Sequence, residues 1–157
     1  MLVQPITIDY AAGIFDGEGC IHIGKAPGYR RTVMMGVTYK PIVESFKASF
    51  GGSVYKYLPK NRSRTIYRWQ LDSRKGITDF LTAVRPYLME KGAQADLMLY
   101  LMSHPSSKEL LAHVYQDMKH LKYVTYLEET QQFPMTHFGY DPQTKQLIHL
   151  DMFEEFY

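Results

Sequence analysis

Tyr10-Ala11-Ala12-Gly13-Ile14-Phe15-Asp16-Gly17-Glu18-Gly19-Cys20-Ile21 changes character twice along its length. It runs from small and apolar, through acidic and glycine-rich, back to apolar. Ile8 to Phe15 is predicted as the first helix, with Thr7 or Asp9 as its cap. Ala11, Ala12, Gly13 and Gly17 are small, and small residues on a helix let a second backbone approach closely. Gly17 and Gly19 suit a helix end, where a left-handed residue terminates the spiral. Asp16 and Glu18 sit at that same end, where the helix dipole gathers negative charge and disfavours carboxylates. A divalent cation would resolve the conflict, since magnesium takes one or two carboxylates with phosphate oxygens and water. A solvated acidic turn is the plainer account of the same residues.

Outward from this stretch, the period of the apolar residues changes repeatedly. Cys20 to Lys25 is predicted as a strand and Ala26-Pro27-Gly28 as a turn. Arg30 to Thr38 is a second strand, alternating Val33, Met35 and Val37 with Arg30, Thr32, Met34 and Gly36. Pro41 opens a helix to Phe50 that Gly51-Gly52 ends. Ser53 to Leu58 and Arg64 to Leu71 are two more strands, with Val54 and Leu58 expected inside. Lys75 to Val84 is a helix. Pro86 opens another that runs to Leu101 or Met102, and Lys108 to about Tyr123 follows. The order αββαββα, with helical additions at the C-terminus, is an α+β fold with one sheet face on helices and one open.

The 157 residues fit one domain with a genuine core, and a 45% hydrophobic content excludes a disordered chain. The single Cys20 excludes an intrachain disulfide and a cysteine-based zinc site. No apolar run reaches membrane-spanning length, so a soluble, intracellular protein without a membrane partner is expected. Charge is unevenly spread. Between Ile21 and Lys75, Glu44 and Asp72 are the only acids among many Lys and Arg, whereas the segment from Tyr126 on is acidic. One cationic face is the footprint of a phosphate-backbone binder. The open sheet face would carry His22, Lys25, Arg30, Thr32, Met34, Tyr55, Tyr57, Arg62, Arg64, Arg68 and Gln70. Basic residues bind phosphates, and Arg and Gln read base edges in the major groove.

Ala11 to Gly19 resembles the LAGLIDADG motif of homing endonucleases and their maturase relatives, in its single-motif form. Ala12, Gly13, Asp16 and Gly19 match letter for letter, and Glu18 stands for the second Asp. The resemblance extends over roughly Tyr10 to Met102 and includes Pro86-Tyr87-Leu88, followed by Lys91. It implies an αββαββα LAGLIDADG endonuclease-like fold with a DNA-facing antiparallel β-saddle and an extra C-terminal helix. It implies a homing endonuclease domain over 1–125, with 126–157 an acidic, aromatic extension packed on the domain or on a partner subunit. The implied activity is a homodimeric, Mg2+-dependent, site-specific DNA endonuclease, typically intron-encoded, that breaks both strands of a long, roughly palindromic duplex. Glu18 and the Gly17 carbonyl would hold the metal. Glu18, Lys91 and Tyr39 would be catalytic, Tyr39 taking the place of a water-holding Gln or Asn. Ala12, Gly13 and Asp16 would lie at the dimer interface, with Asp16 more structural than metal-binding.

Two other classes compete. A non-cleaving relative, an intron RNA maturase or DNA-binding protein, would keep the basic sheet and lose the metal site; Tyr39 favours it and Glu18 with Lys91 opposes it. An enzyme acting on a small molecule through Asp16 and Glu18 would need a pocket that nothing else in the sequence indicates. His113 and His120, seven apart, share a helix face without metal-ligand spacing.

Overall fold

Helical and alternating periods sort as expected into helices and strands, but several boundaries move. The computed structural model describes residues 3–25, 28–61, 63–124, 138–141 and 146–149. Its elements are α1 (Ile8–Glu18), β1 (Gly19–Ile23), β2 (Arg31–Val37), α2 (Lys40–Phe50), β3 (Ser53–Tyr57), β4 (Ile66–Leu71), α3 (Arg74–Val84), α4 (Gly92–Ser103), α5 (Lys108–Val124), β5 (Phe138–Asp141) and β6 (Gln146–His149). The chain divides into two compact units, Met1–His22 with Arg31–Met89, and Ile23–Arg30 with Glu90–Tyr157. No helix among the described residues is long and apolar enough to cross a membrane.

In the first unit the strands order β1-β2-β4-β3. β2 and β4 are antiparallel, with Met35 opposite Trp69 and Gly36 opposite Arg68. β3 and β4 are antiparallel too, with Val54 opposite Trp69 and Tyr55 opposite Arg68. Because side chains alternate along a strand, Val33, Met35, Trp69 and Leu71 share the face that is buried. α1, α2 and α3 contribute Phe15, Phe46, Phe50 and Phe80 to this core. The Trp69 ring lies 5.0 Å from Phe46 and 4.9 Å from Phe80, and Phe80 meets Phe15 edge-on at 5.1 Å. Edge-to-face geometry suits the quadrupoles of aromatic rings. The indole N–H of Trp69 donates to the Gly51 carbonyl at 2.8 Å, so the buried polar end is satisfied.

α1 runs three residues beyond its expected end at Phe15. Gly17 stays helical, and the stop falls at Gly19. Gly19 is not left-handed as expected but extended (φ −80°, ψ 165°). Glycine is needed there for space, because a Cβ would overlap the Phe15 ring. At the end of α2, by contrast, Gly51 (φ 74°) and Gly52 (φ 86°) do take the left-handed backbone expected of them.

The continuous helix expected from Pro86 is absent. A 3-10 turn spans Arg85–Tyr87, Leu88 is extended, and α4 starts only at Gly92. Leu88 is buried and its N–H closes the turn on the Arg85 carbonyl at 3.2 Å. The next N–H, of Met89, is taken by the Asp16 carboxylate at 2.9 Å instead of a helical carbonyl. A helix cannot propagate through that junction. Leu58, expected inside, is exposed and lies beyond the end of β3. β3 is an edge strand whose pairing ends at Tyr57 opposite Ile66, so nothing turns Leu58 inward.

In the second unit α4 and α5 carry buried Leu97, Met98, Leu101, Val114 and Met118. β5 and β6 form an antiparallel pair with Phe138 opposite His149. This hairpin lies in the acidic extension, whose apolar residues had been expected to pack without a stated element; the other residues of that extension lie outside the described ones.

Candidate functional site

α1 presents two stripes. Ala11, Ala12 and Phe15 are fully buried. Tyr10, Gly13, Ile14 and Gly17, at the i, i+3, i+4, i+7 spacing of one helix face, line an open groove of ≈ 640 Å³. Glu18 and Tyr39 line the same groove. Both are exposed, Tyr39 as the residue preceding α2. Two of the three residues expected to be catalytic are therefore brought together. Ala12, expected at a dimer contact, is not on the surface at all. Asp16 is half-buried and holds the Met89 N–H, while Gly13 is exposed as the contact expectation requires.

Nothing lies within 4 Å of where a Cβ would stand at Gly13 or Gly17, and neither has a positive φ. Within this chain either position accommodates alanine. Glycine inside a helix costs about 1 kcal/mol relative to alanine, so the two glycines are unfavourable to the isolated subunit.

Among the described residues no group of three or more His, Cys, Asp or Glu is gathered to hold a metal ion. The groove does offer a donor set of the right chemistry. Glu18 is the last residue of α1 and Gly17 the one before it, in the last turn, where helix carbonyls run out of helical partners. Hard oxygen donors at the negative end of a helix suit Mg2+, which keeps several waters and accepts phosphate oxygens. One carboxylate and one carbonyl are oxygen donors that such an ion accepts beside its waters.

The open face of the sheet is built by register. Met34 and Gly36 on β2, Arg68 and Gln70 on β4, and Tyr55 and Tyr57 on β3 share the face opposite Trp69. Tyr55 and Tyr57 are exposed. The Arg68 guanidinium lies 5.0 Å over the Tyr57 ring and donates to its hydroxyl at 3.4 Å, which fixes the long side chain across the sheet. His22 is exposed on β1, and Arg64 is exposed outside any strand rather than at the start of β4. Thr32 departs from expectation: it has the outward parity but is only 4% exposed, and its hydroxyl donates to Asp72 at 3.2 Å. Arg62 lies outside the described residues.

Lys25, Arg30 and Lys91 belong to the second unit. Lys25 and Arg30 are exposed in the turn after β1, where Tyr29 adopts φ 55° and its ring lies 5.8 Å from Tyr115. Lys91 is the N-cap residue of α4 and only 8% exposed, with Nζ 4.0 Å from Glu90. A buried lysine is rare unless it is paired.

Two features were missed from sequence. The groove-facing stripe includes Tyr10 and Ile14, which the i, i+3, i+4, i+7 spacing with Gly13 and Gly17 signalled. Asp72 binds Thr32 and Gln70; its signal was its isolation as an acid among basic residues.

No protein-family model matches the chain, and no curated protein matches it. Solved structures do. A crystal structure of the homing endonuclease I-CvuI with its target and Ca is 21% identical, with TM-score 0.59, covering 73% of this chain and 80% of that one. The homing endonuclease I-TnaI is 19% identical, with TM-score 0.58, covering 80% of this chain and 99% of that one. The LAGLIDADG meganuclease I-AabMI bound to uncleaved DNA is 16% identical, with TM-score 0.59, covering 83% of this chain and 51% of that one. The likeness establishes the fold: the mixed helices and four-stranded antiparallel sheet are those of LAGLIDADG endonucleases.

Proposed function

We propose that the chain is a homodimeric, site-specific DNA endonuclease that hydrolyses both strands of a long, roughly palindromic duplex in a Mg2+-dependent reaction. The observation that carries this reading is the groove on α1, where Glu18 ends a helix face made of exposed glycines. Helix glycines unfavourable to one subunit are accounted for by the backbone of a second subunit lying against them. Two copies related by a two-fold axis imply a target with the same symmetry.

Pairing the α1 ends brings Glu18 beside its symmetry mate, and the repulsion between the carboxylates favours cations there. Bound at Glu18 and the Gly17 carbonyl, Mg2+ would supply Lewis-acid stabilisation of phosphate charge and a more acidic water. Tyr39, exposed at the groove, hydrogen-bonds and orients water beside the scissile phosphate. Lys91 supplies positive charge that stabilises the pentacoordinate phosphorus. The tyrosines and Arg68 of the open sheet face position the duplex in its major groove. The products are two duplex ends with short 3′ overhangs, as the resemblance implies, and the extension over 126–157 packs on the domain or the partner subunit.

Incubation with Mg2+ and the genomic DNA that flanks its own coding sequence, rejoined as an uninterrupted site, tests the proposal. A double-strand break that Glu18→Gln abolishes without weakening binding supports it. Equal binding by both proteins without cleavage would leave a non-cleaving maturase or DNA-binding protein as the function.

A further inference from the structure

The Asp72 carboxylate, one residue past the end of β4, holds two side chains of outward parity. Gln70 Nε2 donates to Asp72 Oδ1 at 3.0 Å and to Oδ2 at 2.8 Å. Thr32 Oγ1 donates to the same Oδ1 at 3.2 Å. The orientation of the Gln70 amide is set by chemistry, because its carbonyl end would repel the carboxylate where its NH2 end is attracted. Register places Gln70 opposite Met34 and two residues from Arg68, on the open face.

A free glutamine reads adenine with both ends of its amide, donating to N7 and accepting from N6. With Nε2 turned onto both Asp72 oxygens, its donors are drawn toward the carboxylate and the carbonyl end is left for a base. Resting on the DNA-binding reading above, we infer that Asp72 is a specificity-determining residue. It converts Gln70 into an acceptor that selects an exocyclic amino group, cytosine N4 or adenine N6, and rejects the keto oxygens of guanine and thymine. Asp72 acts through Gln70 and is a positioning residue. Arg68 is the complementary case: its five N–H groups make it a donor suited to guanine O6 and N7. β4 therefore presents a donor and an acceptor about 7 Å apart along the strand, close to two base steps.

Selection of binding sites from randomised duplex DNA, followed by sequencing, tests this. Wild type is expected to prefer A or C over G or T by about tenfold at one base pair per half-site. Asp72→Ala frees the amide and narrows that preference to adenine alone. Gln70→Glu in the Asp72→Ala background restores an acceptor-only side chain and returns cytosine to the selected set. Gln70→Ala in the wild-type background erases the preference at that base pair while leaving the others. A structural role for Asp72 predicts no rescue by the glutamate, and a thermal melt of each variant separates misfolding from altered reading. An unchanged preference in Asp72→Ala and Gln70→Ala overturns the inference and leaves DNA binding standing. Failure of wild type to enrich any duplex overturns the DNA-binding reading and this inference with it.

Discussion

Asp16 Oδ2 accepts a hydrogen bond from the Met89 backbone N–H at 2.9 Å, joining residues 73 positions apart. The two carboxylates at the end of α1 thereby do different work. Asp16 faces the body of the chain and anchors the segment after the 3-10 turn, whereas Glu18 faces the groove. Hydrogen bonds to charged groups contribute about 1.5–3 kcal/mol, and partial exposure puts this one at the low end. Asp16→Ala is expected to cost about 1.5 kcal/mol in urea unfolding followed by the fluorescence of Trp69, the single tryptophan. An unchanged midpoint would show that the tie is not structural.

Glu18→Gln is expected to leave that midpoint unchanged or slightly raised, because Glu18 is exposed and lies at the helix end where a negative charge is not favoured. Under the proposed function its effect belongs to chemistry. Cleavage of the cognate duplex should fall by a hundredfold or more, a magnitude typical of losing one electrostatic stabiliser. Binding measured in Ca2+ should stay within about twofold. Chelation of Mg2+ should stop the wild-type reaction in the same way, and cleavage that persists in chelator would remove the metal from the mechanism.

The sheet was legible in the sequence because alternation is a strong local signal. Val33 and Met35 fell on one side of the alternation read for the second strand, and both are buried. The end of α1 was less legible, since two glycines and two acids announce a stop without saying which glycine. Gly19 ends the helix through its contact with Phe15, a packing fact that no residue pattern encodes. Ala12 and Gly13 look alike as small residues, yet one is core and the other surface. Only the helical phase set by Phe15 separates them. The break after Tyr87 was invisible for a different reason, because its cause, the Asp16 carboxylate, is distant in sequence. Thr32 had the right parity for an open face, but its partner Asp72 is forty residues on.

Gly13 gives a prediction with opposite signs in the subunit and the dimer. Nothing lies within 4 Å of an added Cβ, so Gly13→Ala should stabilise the isolated chain by up to about 1 kcal/mol. If a second copy of α1 lies against that face, the same methyl separates the helices and weakens association. Sedimentation equilibrium should show a lower dimer affinity, and Gly13→Leu should give monomer at all accessible concentrations. A Gly13→Leu protein that dimerises like wild type would place the interface elsewhere.

Trp69 ties the sheet to the turn that follows α2, and its two functions are separable. Its ring is fully buried against Phe46 and Phe80, and its N–H holds the Gly51 carbonyl at 2.8 Å. Trp69→Ala removes both and should cost about 3–5 kcal/mol. Trp69→Phe keeps an apolar ring but leaves the Gly51 carbonyl without its donor, a loss of about 1–3 kcal/mol for an unsatisfied group. Gly52 follows in the same turn at φ 86°, with the Gln70 carbonyl where a Cβ would stand. Circular dichroism melts, rather than fluorescence, follow both variants. Equal losses in the two would mean that the hydrogen bond, not the packing of the ring, dominates at this position.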